Sequence, residues 1–171
     1  MSGKFGELTL EEFNNMAEGF KAEGDIESLK ILAGEYLIDK YDLEDYIAGD
    51  IEELATGITF SLGRLQAEYN DKVGNSKNPW EALPFKAIYS MSVSMIDEIA
   101  DGICTGKKKK LEDIVNEMQK IAKEKSSGNE AVCVCGTDKQ LRDIIRAYYS
   151  KGIKEAANII NGLGVENSAG I

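Results

Sequence analysis

Six carboxylates fall within twelve residues: Asp42, Glu44, Asp45, Asp50, Glu52 and Glu53. Tyr41 and Tyr46 lie among them, and no Lys or Arg interrupts them after Lys40. Acid groups spaced along a chain can occupy a basic groove built for phosphates and use the same long-range steering. The expected partner-binding set is Asp42, Glu44, Asp45, Tyr46, Asp50, Glu52 and Glu53. The plain alternative is a solvated helix face with acids in its first turn.

A second carboxylate pair has helical spacing. Glu98 and Asp101, in IDEIADGI, stand three apart, so a helix puts both on one face. Asp50 and Glu53 repeat that spacing. There is no histidine, which removes the usual general base and the commonest zinc ligand. Cys104, Cys133 and Cys135 do not form a zinc motif, and an odd count argues against a disulfide framework. They read as reduced, metal-free thiols. Lys107 to Lys110 precede a helix start, where the dipole disfavours cations and a bound anion would relieve them. Lys139, Arg142, Arg146 and Tyr149 form a basic stripe that could answer the acidic cluster. No catalytic residue, metal ligand or cofactor is assigned.

Two resemblances bear on these residues. In composition, the acidic segment resembles small phage and mobile-element proteins that block nucleases, anti-CRISPR proteins and DNA mimics among them. The IDEIADGI piece resembles the metal-binding helix of the MazG-like all-α nucleotide pyrophosphohydrolases. That second resemblance implies a Mg²⁺ site completed by another helix-borne pair, for which Asp50 and Glu53 are the candidates. The family prefers two glutamates where this chain has Glu98 and Asp101.

The net charge of −10 is uneven. Residues 1–103 carry 8 Lys or Arg and 21 Asp or Glu, whereas the rest carry 12 and 9. Such asymmetry points to a charged partner or to halves that pair with each other. The acidic net charge argues against a general nucleic-acid binder. No apolar run approaches a membrane span, and MSGKFGELTL does not read as a signal peptide. The expected location is cytoplasmic. Two prolines in 171 residues leave room for long helices.

The elements that must position these groups follow from periodicity. Thr9 with Glu12 forms a capping box for a helix over 10–23, ended by Gly24. Asp25 caps a second helix reaching Leu37. The stretch 41–49 is a short helical turn leading into an organising helix over 50–73. There, Ile51, Leu54, Ile58, Leu62, Leu65, Tyr69 and Val73 make one stripe, with Asp50 as N-cap. Gly57 and Ser61 leave a smooth face on it for another backbone. Asn78-Pro79 opens a buried helix running through Phe85 to Ile103, with Trp80 anchoring the preceding loop. A helix over 111–125, an extended AVCVCG and a last helix capped by Asp138 and bent at Gly152 follow.

The expected fold is an all-α bundle of roughly six or seven helices, with one short extended segment near 131–136. It occupies a single helical domain, 1–163, and 164–171 form a flexible tail. The expected function is a non-enzymatic acidic protein that binds a basic groove on a nucleic-acid-handling protein such as a nuclease, as a phage or mobile-element inhibitor would. The alternatives are the Mg²⁺-dependent hydrolase and a structural homo-oligomer, such as a homodimer, that uses the Gly57/Ser61 groove.

Overall fold

A computed structural model describes residues 4–74, 79–125, 133–134, 136–163 and 165–166. Among these the chain forms nine helices: α1 (Leu10–Glu23), α2 (Ile26–Glu35), α3 (Lys40–Ala48), α4 (Gly57–Gly74), α5 (Pro79–Ser94), α6 (Ile96–Thr105), α7 (Leu111–Lys125), α8 (Asp138–Lys151) and α9 (Ile153–Asn161). The all-α class holds, with more helices than the six or seven expected. The extended segment is real but short. β1 (Cys133–Val134) pairs antiparallel with β2 (Val165–Glu166), in the register Cys133 to Glu166 and Val134 to Val165. Residues 165–166 are therefore paired rather than part of a free tail. The Asn78 cap, Cys135 and the side chains of Trp80 and Cys133 lie outside the described residues.

The helices group into two compact units. The first comprises Met1–Asn75 and Ile96–Lys108, and the second Ser76–Met95 and Lys109–Ile171. In the second unit α7 packs with α5, α8 and α9. Its buried side chains include Phe85, Ile114, Ile121, Ile144, Tyr148 and Ile160.

The first unit is built round three rings. Phe13, Tyr36 and Phe60 are fully buried, with centroids 4.9 to 5.5 Å apart. Tyr36 stacks on Phe60 at 19° and tilts against Phe13 at 57°. Such pairs contribute about 0.5–1.5 kcal/mol each beyond their burial. The Tyr36 hydroxyl accepts from the Leu8 amide at 2.8 Å and donates to the Gly6 carbonyl at 3.2 Å. One side chain thus ties the segment before α1 to the core. Burial raises its pKa above the ordinary tyrosine value, consistent with a neutral phenol that both donates and accepts.

Several local signals act as the sequence implies. Thr9 and Glu12 satisfy each other's amides across the first turn of α1, and Gly24 closes that helix at φ 72°. Asp25 accepts from Ser28 N at 3.0 Å and starts α2. At α8, Thr137 rather than Asp138 is the cap, with Gln140 completing the box.

Three long helices predicted from periodicity are shorter or divided. The predicted 50–73 helix begins only at Gly57. Gly49 closes α3 at φ 88°, and the Asp50 amide returns to the Asp45 carbonyl at 2.9 Å. The Asn14 side chain then pairs with the backbone of Ala55, donating to its carbonyl at 2.9 Å and accepting from its amide at 3.2 Å. Thr56 and Thr59 bond reciprocally at the start of α4. Leu54 still reaches the core, so the apolar spacing is used without a helix. The predicted 85–103 helix divides at Met95. There the Ser94 hydroxyl bonds back to Met91 O at 2.8 Å, in the way a serine competes with the helix ladder. Gly152 does more than bend the last helix. At φ 100° it separates α8 from α9.

The small-residue face of α4 faces α6. A Cβ at Gly57 would meet Cys104 Sγ at 3.6 Å, and Ser61 Oγ donates to Ala100 O at 3.4 Å. The groove expected to receive a second copy is filled by the chain itself. The residue that requires glycine is instead Gly63. A Cβ there would overlap the Tyr36 carbonyl oxygen and stand 3.1 Å from its carbon. Gly63→Ala should therefore cost more than about 3 kcal/mol, because it forces apart a fully packed contact. Gly57→Ala meets only ordinary packing and should be near neutral or mildly stabilising. Urea unfolding of the two variants distinguishes them, and equal losses would disprove this assignment.

Candidate functional site

The acidic segment runs from the first turn of α3 to the bend before α4, all within the first unit. Glu44, Asp45, Asp50, Glu52 and Glu53 are exposed and Asp42 is partly buried. Tyr46 corrects the expected set. It is buried, packs in the core and has the Lys21 ammonium 4.4 Å over its ring. Lys21 also donates to the Tyr46 carbonyl. Burial raises the Tyr46 pKa, and Glu18 adds to the shift. An inward ring with its carbonyl engaged is a structural element of α3 rather than a contact for a partner. The exposed aromatic is Tyr41, at 73% exposure.

The position of each acid matters electrostatically. Asp42 lies in the first turn of α3, where the helix dipole favours it. Asp45 lies in the last turn, which holds no basic residue, so the dipole opposes it. Glu44 pairs with Lys40 at 3.2 Å, a solvent-exposed i,i+4 bridge worth about 0.3–0.5 kcal/mol at most. The sequence predicts Asp50 as the N-cap of the organising helix and Glu52 and Glu53 in its first turn. They sit instead on the bend 50–54, before Thr56, so the dipole of α4 does little for them. Among the described residues no ion pair or side-chain hydrogen bond engages the carboxylates of Asp42, Asp45, Asp50, Glu52 or Glu53.

Four of the basic groups expected to answer them make other contacts. Lys107 pairs with Glu12. Lys109 donates to the Tyr149 carbonyl, and burial lowers its pKa. Arg146 bonds Asp143 at 2.7 Å, and Arg142 donates to Ser94 Oγ at 3.2 Å. Asp113, in the first turn of α7, accepts from the Lys110 amide at 3.2 Å and from the Tyr148 hydroxyl.

The two carboxylate pairs do not share the helix-borne geometry that the hydrolase resemblance implies. Glu98 and Asp101 are exposed on α6, but Asp50 and Glu53 are not on a helix, so the second pair lacks the required geometry. Among the described residues no three His, Cys, Asp or Glu side chains converge on a metal position. Cys104 is a free thiol, buried, 3.5 Å from both Ser61 Oγ and Gly57 O. Burial is the main cause that raises its pKa, which keeps it a packed thiol rather than a thiolate. No helix among the described residues is long and apolar enough to cross a membrane.

Sequence reasoning missed two polar side chains that set this geometry. One is Asn14, described above. The other is Arg64, which is 4% exposed. Its guanidinium donates to Ile103 O at 3.0 Å, Gly106 O at 2.9 Å and Lys107 O at 2.8 Å, and its Nε lies 3.6 Å from Glu68. It therefore closes the C-terminal end of α6. An arginine flanked by Gly63 and Leu65 in a helix, with Glu68 one turn on, was the available signal.

Comparison with protein-family models, with curated proteins and with solved structures finds no match.

The Glu12 carboxyl carries a pH prediction. The hydrogen bond from Lys107, followed by that from the Thr9 amide, holds its pKa below the usual 4.5. A depressed folded-state pKa stabilises the fold above the unfolded value, and that contribution disappears as pH falls through the folded value. Lys107→Gln removes the largest cause. Its melting temperature should fall below that of the parent at neutral pH, and the gap should close as pH drops below the carboxylate range. A gap that persists in acid would show that Lys107 acts by packing.

Proposed function

We propose that this chain is a non-enzymatic interaction protein whose acidic segment, Asp42, Glu44, Asp45, Asp50, Glu52 and Glu53, receives a basic surface of a nucleic-acid-handling protein. The observation that carries the reading is the lack of internal neutralisation. Five of these six carboxylates have no cationic or hydrogen-bonding partner among the described residues. Like charges at this density repel one another, and Asp45 is also opposed by its own helix dipole. An outside cation removes both costs. A basic groove shaped for phosphates supplies several at once, and steers association over about a Debye length. Inhibition of a nuclease, as a phage or mobile-element protein would achieve it, is the biological form we favour.

The test is charge reversal at the exposed bend. Glu52→Lys with Glu53→Lys should leave folding intact, since surface changes typically alter stability by about 0.5 kcal/mol or less. The double variant should bind oligoarginine more weakly than the parent, with a shallower dependence on salt. Co-purification from the native cell then identifies the natural partner. Unfolding of the variant, or binding that ignores salt in the parent, would end the mimicry reading.

A further inference from the structure

Resting on that acidic-interface reading, we infer that Leu37 and Tyr41 form an apolar anchor. Its partner is a protein surface in which an apolar residue is flanked by cations, rather than a purely charged groove. Tyr41 is the most exposed large hydrophobic among the described residues, at 73%, and Leu37, at 45%, precedes it by four positions. Helical spacing puts Tyr41 on the same face of α3 as Glu44 and Asp45, three and four residues on. The apolar ring is thus rimmed by carboxylates. An aromatic inside a polar rim is a common composition of an interface anchor.

Leu37 is unusual for a backbone reason. The Ile38 amide returns to Ala33 O at 2.9 Å and the Leu37 amide to Gly34 O at 3.2 Å. This is the Schellman closure of α2, with Leu37 at φ 51° in the position where glycine is normal. A leucine there is strained, and its exposed side chain gains little burial in return. Folding would be better served by glycine. A leucine held in that conformation four residues before an exposed tyrosine is understandable if both side chains are covered by a partner.

Charge decides which partner. A second copy would bring net −10 against net −10 and set carboxylate rims face to face. Nucleic acid and anionic lipid are repelled by the same carboxylates. A cationic protein surface with an apolar residue at its centre satisfies both halves of the site.

Two synthetic probes separate this proposal from the simpler acidic reading: oligoarginine, and a peptide of the same length and charge in which leucines are interleaved. The parent should bind the leucine-containing peptide about tenfold more tightly, the difference one apolar anchor makes. Leu37→Gly with Tyr41→Ser should abolish that preference and leave oligoarginine binding unchanged. Leu37→Gly relieves the positive φ, so thermal melting of the double variant should confirm an intact fold. Asp42→Asn with Asp45→Asn should weaken both peptides. No preference in the parent, or a preference that survives in Leu37→Gly/Tyr41→Ser, overturns the anchor while leaving the acidic interface standing. Failure of both peptides to bind the parent at low salt overturns both.

Discussion

The first unit depends on the fit between the Tyr36 backbone and Gly63. That approach lets α4 lie directly against the end of α2, and no side chain could occupy the same space. Once it is made, the Tyr36 ring packs against both Phe13 and Phe60, and its hydroxyl reaches the backbone at Gly6 and Leu8. Four parts of the chain are thereby fixed by one residue: the segment before α1, α1 itself, the end of α2 and the start of α4. The same fit sets where the acidic segment can lie. The chain must leave α2 through the left-handed turn at Leu37, form α3, and return to α4 through the bend at 50–56.

What was legible in the sequence was mostly local. The Thr9–Glu12 box, the Gly24 stop, the Asp25 cap and the 111–125 helix are read from a few neighbouring residues, and each is present. Periodicity failed where a distant side chain outcompeted the helix ladder. Ile51 and Leu54 carry helical spacing, yet Asn14, some forty residues away, captures the Ala55 backbone and makes an irregular connection affordable. Nothing near residue 50 encodes that. The division at Met95 had a local signal, since Ser90, Ser92 and Ser94 are poor helix formers, but the length of the apolar run obscured it.

The acidic segment was legible as composition and only partly as geometry. Its exposure follows from charge alone. Its two aromatics could not be assigned from sequence, because Tyr41 and Tyr46 sit in the same short helix and differ only in which way they face. Tyr46 faces the core, where Lys21 covers its ring, and Tyr41 faces water. Exchanging their roles removes a buried ring from the expected interface and adds an exposed one.

Moving Asp50, Glu52 and Glu53 from a helix start to a bend also changes what holds them. At a helix N-terminus each would gain about 0.3–1 kcal/mol from the dipole, and the cluster would be explained as a capping feature. On the bend that explanation is gone, and Asp45, at the wrong end of α3, adds a cost of the same kind. Salt then acts on the segment in two opposed ways. In the free protein it screens the repulsion among the carboxylates and raises stability. In a complex with a basic surface it screens the attraction and weakens binding. A capping cluster on a helix would lose stability with added salt instead, because its favourable dipole interaction is what becomes screened. The sign of this segment's own contribution to the salt effect therefore depends on where the chain bends, a property shaped by Asn14 and Gly49 rather than by the acidic residues themselves.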